Sequence, residues 1–164
     1  ILKASKTMEA GAKYINPDIK FTSVMSGSWT DVAKGKEIGI SMISTNKADV
    51  IFSFASGVDA GVREACQSAD NVYFIAQPSE SHDTAPDITV TSIIQSNEAL
   101  IYHAMETAAN GTFKGGYYIA GFEDGGTCSL GVFGDFFDAD KQAKVNDVID
   151  KIKSGEIDCD SYAK

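Results

Sequence analysis

Two apolar runs do most to fix the fold of this chain. "ADVIFSFA" (48–55) and "NVYFIAQ" (71–77) are hydrophobic almost without interruption. A strand with one wet face would alternate apolar and polar residues. A run without alternation belongs to a strand covered on both faces, as in a parallel sheet. Between the runs lie a Gly-rich turn, "SGVDAG" (56–61), and a short helical stretch, "VREACQSA" (62–69). Strand, turn, helix and strand make the repeating unit of an α/β fold, because parallel neighbours need a crossover connection.

The alternation extends along the chain. Residues 1–15 read as a helix, stopped by Asn16-Pro17-Asp18, since the residue before a proline avoids helical angles. "IKFTSVM" (19–25), "ITVTSII" (88–94) and "GGYYIAGF" (115–122) read as further strands. Helices are expected over 30–44, with Thr30 or Asp31 as N-cap, over 97–111, and over 138–155, where Gly155 ends an amphipathic pattern. "PSESHDTAPD" (78–87) reads as a polar loop, and a Gly-rich loop is expected after residue 122. Open α/β sheets bind ligands outside the carboxyl ends of their strands. The loops 26–29, 55–61 and 76–84 fall at such ends.

Charge removes several function classes. The formal net charge is −9, and the chain holds no block of Lys and Arg. Nucleic acids and anionic membrane surfaces are bound through clustered basic residues, so neither is an expected partner. No apolar run approaches the ~20 residues of a membrane span. The sequence opens at Ile1, inside a helical pattern, and reads as a fragment or processed product whose start lies upstream. Cys66, Cys128 and Cys159 are too widely spaced for a CxxC motif or a zinc knuckle. They read either as small packed side chains or, for Cys128 and Cys159, as a disulfide formed in an oxidising compartment.

No catalytic constellation stands out. "SGVDAG" is G-x-x-x-G rather than the dinucleotide fingerprint, and its glycines serve either a tight turn or a backbone cradle for a ligand. His82 and His103 lack a second ligand at metal spacing and read as structural or solvated. His82 beside Asp83 has no nucleophile elbow to serve. The acidic stretch 133–141 misses the EF-hand pattern and reads as the start of a helix. Trp29, Phe54 and Phe122 stand at or next to strand ends, where rings could sandwich a flat ligand. Phe52, Tyr73 and Phe74 read as core. Asn110, in "NGT", is either a glycan acceptor or a helix stop.

Several blocks together resemble the basic membrane protein (BMP) family, which includes PnrA-like purine nucleoside receptors of ABC importers. They are "GAKYINPDIKFTSVMSGSWTDVAKGKEIGISMI", "ADVIFSFASGVDAGVREA", "APDITVTSI", "GTFKGGYYIAGF" and "IDKIKSGEI", in order over nearly the whole chain. The resemblance implies a type I periplasmic binding protein, two α/β lobes closing on a small molecule, of which this chain looks like the C-terminal half. It implies a second lobe over 1–94, a segment over 95–125 returning to the first lobe, and a hinge return with the last helix over 126–164. The missing N-terminal half is then an expected partner, as are ABC importer membrane subunits if the source is bacterial. The location would be extracytoplasmic: periplasmic, lipoprotein-anchored or secreted.

The resemblance also implies a site. Phe54 would stack on the ligand, with Ser56 and Gly57 presenting backbone groups beside it. Gln77, Pro78, Glu80 and Gln95 would complete the lining, and Trp29 and Phe122 would shape the cleft or hinge. Relatives carry a G-V-D-x-D-Q-like loop and a Lys after the "TS" strand. Here Pro78 stands at the first Asp, Glu80 near the second, and Gln95 at the Lys. The expected function is a non-enzymatic solute-binding protein for a nucleoside-like molecule, with no cofactor. The alternative is an extracellular ligand-sensing or structural protein with an altered, flavin-like or sugar-like, or lost specificity.

Overall fold

The computed structural model describes residues 2–122, 126–159 and 161. The chain forms two compact units, Ile1–Phe74 with Ser154–Lys164, and Ile75–Lys153.

The first unit opens with α1 (Leu2–Ile15). Its last turn closes at Asn16, whose N–H donates to Ala12 O at 2.9 Å, and Pro17 prevents continuation. Helix α2 (Val32–Ser44) starts at Asp31, whose carboxylate accepts from Lys34 N at 3.0 Å. Strand β1 (Val50–Phe52) leads into α3 (Gly57–Gln67), and β2 (Tyr73–Ala76) begins beside β1 with Tyr73 N donating to Asp49 O at 2.8 Å. The core consists of Ile51, Val58, Val62, Ala65, Cys66, Val72 and Phe74, all buried. Burial pushes the Cys66 thiol up to about 11, so it packs as a small apolar group.

Helices α2 and α3 meet backbone to backbone. A Cβ at Gly35 would lie 2.2 Å from Val58 O, and one at Gly61 would lie 1.9 Å from Val32 O. One at Gly39 would lie 2.7 Å from Ala65 Cβ. Each helix thus carries a G-x-x-x-G pair, Gly35/Gly39 and Gly57/Gly61, one helical turn apart. The glycines of "SGVDAG" therefore serve helix packing as well as the turn.

The second unit takes over within β2 and adds β3 (Thr89–Gln95), α4 (Asn97–Ala109), β4 (Cys128–Leu130) and α5 (Ala139–Lys153). Here β2, β3 and β4 neighbour one another in that order. Strands β3 and β4 are antiparallel, pairing Ile93 with Leu130, Ile94 with Ser129 and Gln95 with Cys128. The chain keeps to β3 beyond β4, with Gly131 N donating to Ser92 O at 2.8 Å and Gly134 N to Val90 O at 3.0 Å. The buried hydroxyls of β3 are all partnered, Thr89 on Ala85 O, Thr91 on Gly131 O and Ser92 on Glu80. Ser96 caps α4 by accepting from Ala99 N, and Asp138 caps α5 by accepting from Lys141 N at 2.8 Å. The acidic stretch before α5 is thus a helix start. Hydrogen bonds from the Lys141 side chain and N–H hold the Asp138 carboxyl below its usual range.

The α/β class holds, with a sheet dominated by parallel strands. Four local expectations change. Residues 19–25 and 115–122 are irregular rather than strands, because neither finds a ladder partner among the described residues and a strand cannot satisfy its backbone alone. Most of their apolar side chains are exposed, Tyr117 completely so, while Phe21 and Phe122 are half-buried. Helix α3 starts at Gly57, earlier than the expected 62, and β4 forms where only a loop was expected.

The glycine contact gives a direct stability prediction. Gly61→Ala should destabilise the intact protein by about 1–3 kcal/mol or more, since overpacking against backbone has little room to relax. Gly115→Ala, with nothing within 4 Å of its would-be Cβ, should stay within about 0.5 kcal/mol of the parent. Chemical denaturation of both variants checks the difference.

Candidate functional site

In the first unit, the α2–α3 contact brings two loops together at the helix starts. The 26–31 loop is braced from within: Ser26 Oγ donates to Ser28 O at 2.7 Å, and Ser28 Oγ accepts from Thr30 N and Asp31 N at 3.2 and 3.1 Å. The second loop, 53–57, is held by Asp59. This buried carboxylate accepts from Ala55 N at 2.8 Å and from Ser53 Oγ. Gly57 N donates to Trp29 O at 2.9 Å, which joins the two loops. A Cβ on Gly57 would lie 3.3 Å from that same carbonyl.

Trp29 and Phe54 are exposed on these joined loops, by 51% and 38%. Trp29 therefore acts through its backbone in the join, and its ring faces outward. Ser56 is exposed and sits at φ 57°, ψ −118°, a conformation that strains any residue with a Cβ. It stands at the N-cap of α3 without capping it through its side chain.

The start of α3 is not an open anion cradle. Gly57 N is taken by Trp29 O, Val58 N by Ala55 O and Asp59 N by Ser56 O. The Asp59 carboxylate lies in the first turn, where an anion would otherwise be favoured. At the start of α2, the Asp31 carboxylate caps Lys34 N.

In the second unit, the loop after β2 carries Gln77, Pro78 and Glu80. Gln77 is half-buried, and Pro78 and Gln95 are exposed. Gln95 N donates to Pro78 O at 2.9 Å, so these two positions are neighbours. Glu80 is engaged by donors of the protein itself. Its Oε1 accepts from Ser81 N at 2.8 Å, His82 N at 2.9 Å and Ser92 Oγ at 2.9 Å, and its Oε2 accepts from Val132 N at 2.7 Å. Four donors from the protein converge on this one exposed carboxylate, three on Oε1 and one on Oε2. Burial opposes its charge, but the donated hydrogen bonds outweigh this and hold the carboxyl below its ordinary value. That stabilisation is present above the ordinary carboxylate range and is lost as pH falls through the lowered value.

The other singled-out residues have plainer places. Phe122 is half-buried, next to Gly121, whose carbonyl accepts from Thr127 Oγ at 3.0 Å. His103 stacks on Tyr118, with ring centroids 4.0 Å apart. His82 is half-buried, with Nδ1 enclosed and without a hydrogen-bond partner. Asn110 is exposed at the C-cap of α4, and Gly111 follows at φ +67°, a normal helix stop. Cys128 is half-buried and Cys159 is exposed.

Two surface hollows of about 350 and 480 Å³ lie along α4 and residues 112–118. None of the expected ligand residues lines them. The same region exposes Ile101, Tyr102, Met105, Phe113, Tyr117 and Ile119. An apolar patch of this extent is characteristic of an interaction surface.

The strain at Ser56 can be tested without a ligand. Ser56→Gly should raise stability by about 1 kcal/mol, because glycine adopts this conformation freely. Thermal unfolding of the intact variant measures it, and a lowered melting temperature would refute the strain.

The chain is similar to several known proteins. A relative from Bacillus subtilis (strain 168), "Transcriptional activator protein med", is 26% identical over 148 residues, covering 90% of this chain and 46% of its own. The "ABC transporter nucleoside-binding protein BmpA" of Lactococcus lactis subsp. cremoris is 25% identical over 174 residues, covering 96% of this chain and 48% of its own. Among solved structures, an ABC transporter solute-binding protein from Conexibacter woesei superposes with a TM-score of 0.73 at 21% identity, covering 96% of this chain and 52% of that one. The chain spans about half the length of these relatives. Residues 3–161 match the Bmp family, described as "ABC transporter substrate-binding protein PnrA-like", and the chain belongs to that family.

Proposed function

We propose that this chain is the C-terminal half of an extracytoplasmic solute-binding protein that delivers an uncharged, nucleoside-like molecule to an ABC-type importer. The observation that carries the chemistry is the occupied start of α3, whose first N–H groups donate to backbone carbonyls. With Asp31 capping α2 and a net charge of −9, the loops favour a neutral ligand over a nucleotide. Phe54, exposed on a rigid loop, offers a ring for stacking. Ser56, Gly57, Gln77, Pro78 and Gln95 are the further contacts assigned to the ligand, and Trp29 and Phe122 shape the cleft or hinge. The role is binding and not catalysis.

Pro78 and Gln95 replace two charged groups with neutral ones. Hydrogen bonds to charged groups are the stronger kind, so a nucleoside would be held less tightly here than by relatives with the Asp and Lys. The lobe boundaries proposed are 1–94 and 126–164 in one lobe, with 95–125 packing on the other. The exposed apolar face of α4 and residues 112–119 supports this, since a second half would cover it. The further attributes proposed are periplasmic or lipoprotein-anchored placement and importer membrane subunits as partners. The exposed Asn110 would accept a glycan only in a secreted eukaryotic setting.

A second reading has its own support. One relative is named a transcriptional activator rather than a transporter component. The same fold would then serve as a ligand sensor, with a flavin-like or sugar-like specificity or none.

Calorimetric titration of the intact protein with purine nucleosides, flavins and sugars separates these readings. A purine nucleoside should bind, and Phe54→Ala should weaken it about tenfold, in line with a lost stacking contact and its buried area. Binding of only a flavin or sugar would favour the second reading. Undiminished affinity in Phe54→Ala would remove that ring from the site.

A further inference from the structure

We propose that Glu80 is a positioning residue whose carboxylate holds the loop of Gln77 and Pro78 in shape by locking it to Ser92 of β3 and to the backbone of Val132. The inference deepens the binding reading and rests on it, because the loop matters to function only if it meets a ligand.

The donors to Glu80 come from three separate stretches of chain. Ser81 N and His82 N belong to its own loop, Ser92 Oγ lies 12 residues away and Val132 N lies 52 residues away. Ser92 is fully buried, and its hydroxyl also accepts from Ser81 N at 3.0 Å, so the anchor point is rigid. Upstream, the bond from Gln95 N to Pro78 O ties the loop to the end of β3. The loop is therefore pinned before and after the residues assigned to the ligand.

Gly131 makes room for the lock. A Cβ there would lie 2.1 Å from Glu80 Oε2 and 3.1 Å from Ser92 Cβ. Any other residue would displace the carboxylate from Val132 N. The lock also requires two acceptor oxygens. Three donors converge on Oε1 and one on Oε2, so a glutamine can satisfy one set only. With its oxygen toward Ser81, His82 and Ser92, its NH₂ would face the Val132 N–H, donor against donor.

This chemistry makes the test selective. Amide hydrogen exchange is measured by NMR on the intact protein and on Glu80→Gln, Gly131→Ala and the double variant. Both single variants should speed exchange at Val132 by about tenfold, the loss of one charge-assisted hydrogen bond. The double variant should add little more, because both changes cut the same link. In the unmutated protein, the amide resonances of Ser81, His82 and Val132 should shift together as one carboxyl titrates, a signature needing no variant to fold. Unchanged Val132 exchange in both single variants, or three unrelated titration midpoints, would overturn the lock.

The ligand arm uses adenosine, guanosine and inosine as probes. Affinity several-fold weaker in Glu80→Gln, with exchange in α2 and α3 unaltered, supports positioning. Parental affinity in a variant whose Val132 link is broken overturns the positioning role alone. If the unmutated protein binds no probe, the binding reading falls and the positioning role with it, while the exchange data still decide whether the lock exists.

Discussion

Two helices touch backbone to backbone in the first unit, and the shape of its candidate ligand loops follows from that contact. Gly35, Gly39 and Gly61 let α2 and α3 approach until a single methyl group would collide with a carbonyl or with a neighbouring side chain. At that separation the loops preceding the helices share a hydrogen bond, Gly57 N to Trp29 O. Asp59 then folds the second loop back on itself. The result is a rigid edge carrying Trp29, Phe54 and Ser56, in which the helix N–H groups already have acceptors. A wider helix pair would separate the loops and release those donors. Packing density here sets which ligand chemistry the edge can accept.

The second unit solves a similar problem with charge. The loop after β2 has few apolar residues to bury and cannot be held by packing. A single carboxylate gathers donors from the loop, from β3 and from the chain beyond β4. The buried hydroxyls of β3 belong to the same design. They look out of place in a core strand until each is paired with the segment it anchors. In a protein that closes around a small molecule, such ties let a loop keep its geometry while the strands beneath it carry the chain between lobes.

Much of the fold was legible because its strongest signals are local. The unbroken apolar runs around Ile51 and Phe74 announced buried strands, and Asp31, Ser96 and Asp138 are caps of ordinary type. The three residues of β4 carry no period to detect. Residues 19–25 and 115–122 have strand composition, but forming a strand depends on a neighbour that local sequence does not name. The role of "SGVDAG" was open between turn and cradle. The signal that settles it was present as a second G-x-x-x-G in α2, readable only once the two helices are known to face each other. The hydrogen bonds that engage Glu80 were not legible because the donors Ser92 and Val132 are distant in sequence.

The central claim is that this family member holds a small, uncharged, nucleoside-like molecule. Native mass spectrometry of the intact protein, purified gently with no ligand added, tests it most directly. The account predicts a retained mass of nucleoside size that leaves on denaturation and absorbs as a purine. A retained nucleotide or other phosphorylated species would contradict it, because the first N–H groups of α3 already donate to backbone carbonyls and Asp31 caps α2.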